Sequence, residues 1–246
     1  MQTYGQATHL GFLQLTLDET KKDILAHNGK LIPVNADTYV PDAHISEILT
    51  ASRSRHPHLF ETVGRSAHYM SRRYIEESDV GNLFADRIRA AAKTDLAFVH
   101  AGSLRKDIPE GTLTRADILD VYPFVDDVLT FDMNGAQLRE VLKQSLSFER
   151  GLLQISGFEI TYDSTKPIGN RLLSVRYKGQ EVQPTDTFTG AAPGFLAEGG
   201  DLYTTFAGIP VKDNVGKVSD IIVAYAKQSE AIIAPSKGRQ KDVGNP

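Results

Sequence analysis

Strand-like and helix-like hydrophobic patterns alternate irregularly along this 246-residue sequence, and their order is what most constrains the fold. Residues 10–17 end with leucine at three alternate positions, which is the period of a half-buried strand. Residues 79–91 place apolar side chains at i, i+3 and i+4, which predicts a helix of about three to four turns. Residues 96–101 form a continuous apolar run of strand length. Because strands and helices mix without a strict βαβ rhythm, the sequence predicts an α+β fold in which mixed β-sheets are flanked by helices.

The same patterns predict the remaining elements and a division of the chain. Further strands are expected near 30–34 and within 127–133, 152–162 and 172–177, and further helices are expected from Ile45, from a capping box at 114–117, after Asn134-Gly135 and around 218–225. Residues 35–42 are rich in turn formers. We therefore predict that residues 1–55 are an edge piece and connector, and that residues 56–246 are the main domain.

Composition and charge exclude several classes of protein. Apolar residues make up 41% of the chain, which is enough for a substantial core, and cysteine is absent, which excludes disulfides and thiolate metal sites. The net charge of −4 argues against nucleic acid as a partner, because phosphate contacts need clustered lysine and arginine. No apolar run approaches the ~18–20 residues of a membrane span. The start of the chain lacks a signal-peptide pattern, so an export signal of a longer parent protein would lie upstream.

Metal ligands and catalytic motifs are not evident in the sequence. The pairs Asp42/His44 and His56/His58 resemble ligand pairs, but a metal site needs three or four ligands that converge from rigid elements. We interpret these histidines as exposed loop residues. The sequence contains no nucleophile elbow, no phosphate-binding P-loop and no Gly-x-Gly-x-x-Gly motif. We therefore predict neither a catalytic residue nor a metal ligand in this chain.

Three loops nevertheless combine residue types that suit a ligand. Arg105 follows a turn of small residues after the apolar run, where it could bind an anion or sugar oxygens, although a surface arginine is the simpler interpretation. Phe124 lies in a loop stiffened by proline, where a core phenylalanine is the alternative. The stretch GFLAEGGDLY at 194–203 contains an aromatic residue, two adjacent glycines and an acid. Two aromatics and a carboxylate would suit a planar ring that carries vicinal hydroxyls.

Five short motifs follow one another over residues 70–225. They are ESDVGNLFAD at 77–86, VHAGSLR at 99–105, YPF at 122–124, LQISG at 153–157 and FLAEGGD at 195–201. In this order they resemble E-x-x-L-G-N-L-x-x-D, N-G-G-G-I-R, L-P-F, L-Q-V-S-G and F-L-A-x-G-G-D of the 5′-nucleotidase family, which includes the bacterial UDP-sugar hydrolases. The match is to the family's C-terminal domain. Each motif alone is weak, and their order and spacing carry the resemblance.

The resemblance implies a nucleoside site. Phe124 and Phe195 map to the two aromatics that sandwich the base, Asp201 to the carboxylate that binds the ribose hydroxyls, and Arg105 to the arginine of the glycine-rich turn. The implied substrate-binding residues are Arg105, Phe124, Phe195, Asp201, Gly157, Asp126, His100 and Arg73, of which Gly157 is expected beside the base and Asp126 within reach of it.

Two departures from the family pattern fall on substrate-contacting positions. His100 stands where the family has asparagine, and the next positions of the same turn carry Ala101 and Ser103 in place of glycines. Tyr74 stands where the family has arginine, with Arg73 beside it. These changes leave the identity of the substrate open.

The resemblance also implies a parent protein. Residues 1–50 resemble the connection out of the family's metallophosphatase domain, whose dinuclear metal motifs are absent here. The parent is expected to use two divalent metal ions of the Zn, Mn or Co type, to act on nucleotides, and to be periplasmic, secreted or on the cell surface. This chain would recognise the substrate without hydrolysing it. The alternatives are a 2′,3′-cyclic phosphodiesterase with 3′-nucleotidase activity, a thiosulfohydrolase branch, and a stand-alone nucleoside-binding module.

Overall fold

A computed structural model describes residues 3, 7–18, 20–35 and 37–244. The prediction that the start of the chain carries no signal peptide concerns residues that lie mostly outside the described ones. The chain forms two compact units, Met1–Pro57 and His58–Pro246. In the smaller unit, β1 (His9–Asp18) and β2 (Asp23–Pro33) form an antiparallel hairpin, and helix α1 (Ala43–Arg55) follows. The second strand is longer than the short strand predicted near 30–34. Polar residues in the middle of β2 interrupt the alternation of apolar and polar side chains that would predict a strand. The strand forms because its backbone pairs with β1 along its whole length.

Both faces of this hairpin expose large apolar side chains. Successive residues of a strand point to opposite faces, yet the neighbours Phe12 and Leu13 are 46% and 45% exposed. Other exposed apolar residues on the two strands are Leu10, Leu15, Leu17, Ile24, Leu25 and Leu31. A sheet that faced water on one side would carry polar residues on that side. The hairpin therefore has the composition of a sheet that is covered on both faces.

The larger unit, over its described residues 58–244, is built from three sheets and six α-helices. Its strands are β3 (Thr62–Ser66), β4 (Leu96–His100), β5 (Gly111–Thr114), β6 (Asp127–Asn134), β7 (Leu153–Ser156), β8 (Glu159–Tyr162), β9 (Leu172–Tyr177), β10 (Gln180–Glu181), β11 (Thr187–Pro193), β12 (Val211–Lys217) and β13 (Gln240–Asp242). Its helices are α2 (Asp79–Ala92), α3 (Arg115–Val121), α4 (Gly135–Ser145), α5 (Gly194–Ala197), α6 (Thr204–Ala207) and α7 (Val218–Gln228).

The central sheet has the order β12-β6-β11-β4-β7, and the two smaller sheets have the orders β10-β9-β8-β13 and β3-β5. Strand β11 runs parallel to β4, whereas β6 pairs antiparallel with β11 and β7 pairs antiparallel with β4. The predicted α+β class with mixed sheets and flanking helices is confirmed. The predicted helices over 79–91 and 218–225 are confirmed as α2 and α7, and the capping box between Thr114 and Asp117 opens α3.

Two apolar cores lie on the opposite faces of the central sheet. Leu96 and Phe98 of β4 belong to the core that α4 and the four-stranded sheet cover, and Ala97 and Val99 belong to the core that α2, α3 and α7 cover. This two-sided burial explains why residues 96–101 are apolar without alternation.

Two of the five motifs stabilise this core. The Gln154 amide accepts hydrogen bonds from Ser78 N at 2.9 Å and Ser78 Oγ at 3.2 Å, and it donates to Glu76 O at 3.0 Å, so it holds the start of α2 against β7. A Cβ atom at Gly81 would lie 2.2 Å from Gln154 Oε1, which explains the glycine in the helix motif. The motifs at 77–86 and 153–157 therefore position secondary structure.

Candidate functional site

Four strands of the central sheet have one end on the same side of the sheet. Strands β4 and β11 end there, at His100 and Pro193, because they are parallel. Strands β6 and β7 begin there, because each is antiparallel to its neighbour and the register pairs Pro193 with Val128 and His100 with Leu153. The loops that carry the three predicted ligand segments are therefore neighbours, although residues 194–203 are far in sequence from the other two segments, 99–105 and 121–127.

These loops enclose a cavity of about 520 Å³. Its lining includes six of the predicted substrate-binding residues: His100, Arg105, Phe124, Asp126, Phe195 and Asp201. A volume of this order is within the range of small-molecule sites.

Two phenylalanines are exposed at the cavity. Phe124 is 39% exposed and Phe195 is 50% exposed, so neither is a core residue. The Phe124 ring is supported edge-on by the buried Tyr122, with ring centroids 5.6 Å apart. A Cβ atom at Gly200 would lie 2.6 Å from Cζ of Phe195, so the glycine leaves room for this ring. Both rings are thus held by their surroundings while their surfaces stay open to a ligand.

Asp126 connects the two aromatic loops. Its carboxylate accepts hydrogen bonds from the Phe195 backbone N at 3.3 Å and from the Tyr122 hydroxyl at 3.0 Å. Burial, together with the nearby Asp126 charge, raises the pKa of Tyr122 well above its ordinary value, so the hydroxyl remains a donor. Asp126 also lines the cavity. Its hydrogen bonds to Phe195 N and to the Tyr122 hydroxyl hold the loop of Phe195 against the loop of Phe124.

Arg105 is exposed beside Phe124. The guanidinium carbon lies 5.4 Å from the centroid of the Phe124 ring, within the range of a cation–π contact. The Arg105 backbone N donates to Val121 O at 2.8 Å, which fixes this turn against the Phe124 loop. The positive charge is available at the rim of the cavity, where it suits an anionic substituent on a bound ring system.

His100 and Asp201 form a close pair in the lining of the cavity. Nδ1 of His100 lies 3.3 Å from Oδ2 of Asp201, with side-chain exposures of 4% and 35%. Nε2 of His100 lies 2.5 Å from the Arg150 carbonyl oxygen. Burial is the largest cause that lowers the pKa of His100 below its ordinary value, against the raising effects of the Arg150 carbonyl and of Asp201.

The backbone at Asp201 is in an unusual conformation. Asp201 and the next residue, Leu202, have φ values of 50° and 69°, in the left-handed region that favours glycine. Aspartate tolerates this region better than leucine does. Such conformations cost about 1–3 kcal/mol and persist where the surroundings impose them, commonly at ligand sites.

The structure does not bring Gly157 or Arg73 to this cavity. Gly157 follows the end of β7, and because β7 runs antiparallel to β4 this end lies at the opposite edge of the sheet, beside Asp95. Gly157 is therefore outside this cavity, and the expectation that it lies beside the base stays a prediction that the cavity does not support. Arg73 is exposed outside the cavity lining, while the adjacent Arg72 donates from Nη1 to Leu104 O at 3.2 Å.

Glu198 and Arg150 are among the residues at the site that were not predicted. Glu198 lines the cavity, and the carbonyl of Arg150 contacts His100. Glu198 occupies the variable position of the FLAEGGD motif, and Arg150 precedes the LQISG motif, so a search centred on motif residues passes over both. Only the antiparallel pairing of β7 with β4 shows that the start of β7 meets His100.

The described part of the chain offers neither a metal cluster nor a membrane-spanning helix. Within the ranges that the structure describes, no three His, Asp or Glu side chains are grouped as a metal site. The helices of those ranges include none that is long and apolar enough to cross a bilayer.

Comparison with known proteins decides the family. The profile of the 5′-nucleotidase C-terminal domain matches residues 62–208, which include all six predicted residues that line the cavity. The chain belongs to the 5′-nucleotidase C-terminal domain family. The resemblance carried by the five motifs is thereby confirmed.

Relatives and a solved structure extend the comparison. Endonuclease YhcR of Bacillus subtilis (strain 168) is 31% identical over 245 residues, covering 97% of this chain and 20% of that protein. A snake venom 5′-nucleotidase of Crotalus adamanteus is 24% identical over 270 residues, covering 97% of this chain and 46% of that protein. The crystal structure of a 5′-nucleotidase precursor from Thermus thermophilus has the same fold, with a TM-score of 0.90, 23% identity and coverage of 100% of this chain and 52% of that one. The chain therefore spans about half or less of the length of these proteins.

Proposed function

We propose that this chain binds the nucleoside part of a nucleotide for a 5′-nucleotidase-type phosphohydrolase. The observation that carries the proposal is the convergence of two exposed aromatic rings and one carboxylate, Phe124, Phe195 and Asp201, on a single cavity. Family membership supports the same interpretation.

The chemistry of the cavity matches the parts of a nucleoside. Aromatic contacts with Phe124 and Phe195 would contribute ~0.5–1.5 kcal/mol each beyond the area they bury. The Asp201 carboxylate would accept hydrogen bonds from ribose hydroxyls, and bonds to a charged group contribute ~1.5–3 kcal/mol. Arg105 at the rim would meet an anionic group of the ligand. We retain His100 and Asp126 in the proposed site, and we leave Gly157 and Arg73 out of it.

The proposed domain organisation explains the exposed hairpin. Residues 1–55 would be the tail of a metallophosphatase domain with its linker and helix, and residues 56–246 the nucleoside-recognition domain. The apolar side chains on both faces of β1 and β2 support this assignment, because a sheet needs no polar face where other layers of a larger domain cover both of its faces. The partner in this proposal is the N-terminal metallophosphatase domain of the same parent chain.

The parent reaction would be carried out by that domain. Two divalent metal ions would activate a water and clamp the phosphate there. The parent would act in the periplasm, at the cell surface or as a secreted protein, which is supported by a venom protein among its relatives.

Replacing Phe195 with alanine is the direct test of the cavity. We expect affinity for the best-binding nucleoside or nucleotide to fall about tenfold or more, because one aromatic contact and its buried area are lost. Calorimetric titration with adenosine, AMP, UMP and UDP-glucose measures the change. Phe60→Ala removes a phenylalanine of similar exposure, 45%, outside the cavity lining and should leave affinity unchanged. Equal effects of the two substitutions, or none from Phe195→Ala, would contradict the proposal.

We expect the chain alone to release no phosphate from AMP in the presence of Zn²⁺ or Mn²⁺. The reason is that the described residues group no set of metal ligands. A colorimetric phosphate assay, with a full-length 5′-nucleotidase as positive control, measures the rate. Phosphate release above the metal-only blank that disappears with chelator would show that the chain has its own catalytic centre.

A second candidate substrate class rests on a neighbouring cavity. Asp201 also borders a cavity of about 300 Å³ that is lined by Lys143 and Arg150. Because the same lining also contains Glu140 and Glu149, its two cations would suit a 3′-phosphate only if they outweigh these acids, and this is the observation on which the 3′-nucleotidase branch rests. Adding 3′-AMP and thiosulfate to the titration separates this branch and the thiosulfohydrolase branch from the 5′-nucleotide interpretation. A reading frame that begins at Met1 would favour the stand-alone binding module.

A further inference from the structure

A second cavity lies at the other end of β7. Strand β7 begins opposite His100 and ends at Ser156, which pairs with Ala97 near the start of β4. At this end a cavity of about 510 Å³, here called the distal cavity, is lined by Gly157 and by residues of α2, of the β9–β10 hairpin and of the segment before β13. The described linings of the distal cavity and of the proposed nucleoside cavity share no residue.

Positive side chains dominate the distal cavity. Its described lining contains one acid, Glu159, and five cations, which are Arg89, Arg176, Lys178, Lys237 and Arg239. The chain as a whole carries a net charge of −4, so positive charge is concentrated here on a negatively charged protein. A concave site lined by one sign of charge attracts ligands of the opposite sign. The distal cavity therefore has the chemistry of an anion site.

Ion pairs already neutralise three of the five cations. The pairs join Arg176 to Glu181, Lys237 to Asp79, and Arg239 to both Asp86 and Glu77. The strand register also places Glu159 opposite Arg176. The positive charge that is available to a ligand therefore comes from the other two cations, Arg89 and Lys178.

Arg89 is held in place by one of its nitrogens. Ser156 Oγ accepts a hydrogen bond from Nε of Arg89 at 2.9 Å and donates its own hydrogen to Asp86. A Cβ atom at Gly157 would lie 3.0 Å from Cδ of Arg89, so the glycine leaves room for this side chain. Among the residues that the structure describes, no acid forms an ion pair with Arg89, and its two terminal nitrogens make no hydrogen bond. These nitrogens form the fork that binds the oxygens of an anion such as phosphate.

Lys178 lies on the tight turn of the β9–β10 hairpin. Lys178 and Gly179 have φ values of 49° and 80°, as a two-residue turn of this type requires, although asparagine is the usual residue at the first position. Nζ of Lys178 lies 4.9 Å from the centroid of the Tyr177 ring. Asp95 is close enough to feel this charge, but its carboxylate already accepts hydrogen bonds from the Tyr177 hydroxyl at 2.6 Å and from Thr189 Oγ1 at 2.8 Å. Within the described ranges, Lys178 has no ion-pair partner.

We propose that the distal cavity binds a diphosphate anion, either free or as part of a nucleotide, between Arg89 and Lys178. The two cations belong to separate elements, so an anion with two charged groups can meet one cation with each group. Arg89 presents its fork to one phosphate, and Lys178 presents a point charge to the other. The inference goes beyond the proposed function, because it uses none of the residues that line the nucleoside cavity.

The test is a calorimetric titration of the 246-residue chain with pyrophosphate and orthophosphate at pH 7.5, with chelator present to remove divalent metal ions. We expect pyrophosphate to bind about tenfold or more tightly than orthophosphate, because only pyrophosphate reaches both cations. Raising the NaCl concentration from about 0.05 M to about 0.5 M should weaken pyrophosphate binding several-fold, since salt screens exposed charges.

Titration with ADP separates the two sources of a diphosphate. The relevant quantity is the part of ADP binding that Arg89→Gln removes. If this part is no tighter than pyrophosphate binding, the site takes a free inorganic anion. If it is tighter, the site takes the diphosphate of a nucleotide. Both results support the distal site.

Substitutions locate the anion. Arg89→Gln should weaken pyrophosphate binding about tenfold or more, and Lys178→Gln should weaken it several-fold. Lys178 is on an exposed turn, so this variant keeps the test valid if Arg89→Gln does not fold. Lys227→Gln removes an exposed cation outside the distal cavity and should leave the affinity unchanged. Saturating adenosine should also leave it unchanged.

Three results would overturn the distal site. The first is the absence of pyrophosphate binding, and the second is an equal effect of Arg89→Gln, Lys178→Gln and Lys227→Gln. The third is a loss of binding in Arg105→Gln with full binding in Arg89→Gln, which would place the anion in the nucleoside cavity. Failure of adenosine to bind would contradict the proposed function and leave the distal site standing.

Discussion

Asp86→Ala is expected to lower the free energy of unfolding by about 3 kcal/mol, because it leaves a buried guanidinium without its main counter-ion. Asp86 receives hydrogen bonds from Arg239 Nη1 at 2.7 Å and Nη2 at 3.2 Å, and from Ser156 Oγ at 2.5 Å. The side chains of Asp86 and Arg239 are only 18% and 16% exposed. Glu77, at 3.8 Å from Arg239, remains in the variant and keeps the loss at the lower end of the range for broken buried pairs.

Urea unfolding followed by circular dichroism measures this loss as a shift of the midpoint at constant slope. Asp220→Ala is the matched control, since Asp220 pairs with Arg115 at 3.0 Å but is 59% exposed. Exposed pairs contribute about 0–1 kcal/mol, so the control should shift the midpoint little. Similar shifts for Asp86→Ala and Asp220→Ala would mean that the network of Asp86 and Arg239 does not hold the C-terminal segment.

Asp201→Ala is expected to weaken nucleoside binding at pH 7.5 about 100-fold, the largest effect on binding of any single substitution in the cavity. The carboxylate is the proposed acceptor for the ribose hydroxyls, and hydrogen bonds to a charged group contribute ~1.5–3 kcal/mol each. Removal of the side chain also takes away the carboxylate that lies 3.3 Å from Nδ1 of His100. Calorimetric titration with uridine or adenosine measures the affinity.

Backbone strain complicates this substitution and has its own control. Alanine is less tolerant than aspartate of the φ of 50° at this position, so a displaced loop could also weaken binding. Asp201→Asn keeps the shape and the tolerance for this conformation while removing the charge. Asp213→Ala removes an exposed acid outside the cavity lining and should not change affinity. Wild-type affinity in Asp201→Asn would show that the charge is not what holds the ligand.

The sequence predicted the parts of the fold whose hydrophobic period is regular. Helix α2 and strand β4 belong to this group, because each buries a defined set of side chains in the cores. Strand β11, with the sequence TFTGAAP, was not predicted, since its small residues carry no clear period and it becomes a strand by pairing with β6 and β4. Strand β13, of three residues, forms by pairing with β8. Such strands depend on neighbours that are distant in sequence.

The candidate site was predicted residue by residue with unequal success. Phe124, Phe195 and Asp201 lie at one cavity as expected, since their motifs end or begin strands at one edge of the sheet. Gly157 does not, because a motif gives sequence order but not the direction in which its strand runs. Asp126 was expected near the base; that its carboxylate joins two loops could not be predicted, because this depends on where Phe195 N lies.

The left-handed backbone at Asp201 and Leu202 lowers the stability of the fold, while the Asp201 side chain is proposed to bind the ligand. Glycine at position 201 would relieve strain and remove the proposed ribose anchor in the same step. A screen that rewards only thermostability would therefore accumulate glycine there and return robust proteins that no longer bind. Engineering of this domain therefore has to select for ligand binding together with heat resistance. The appearance of glycine at position 201 would show that binding is not being selected.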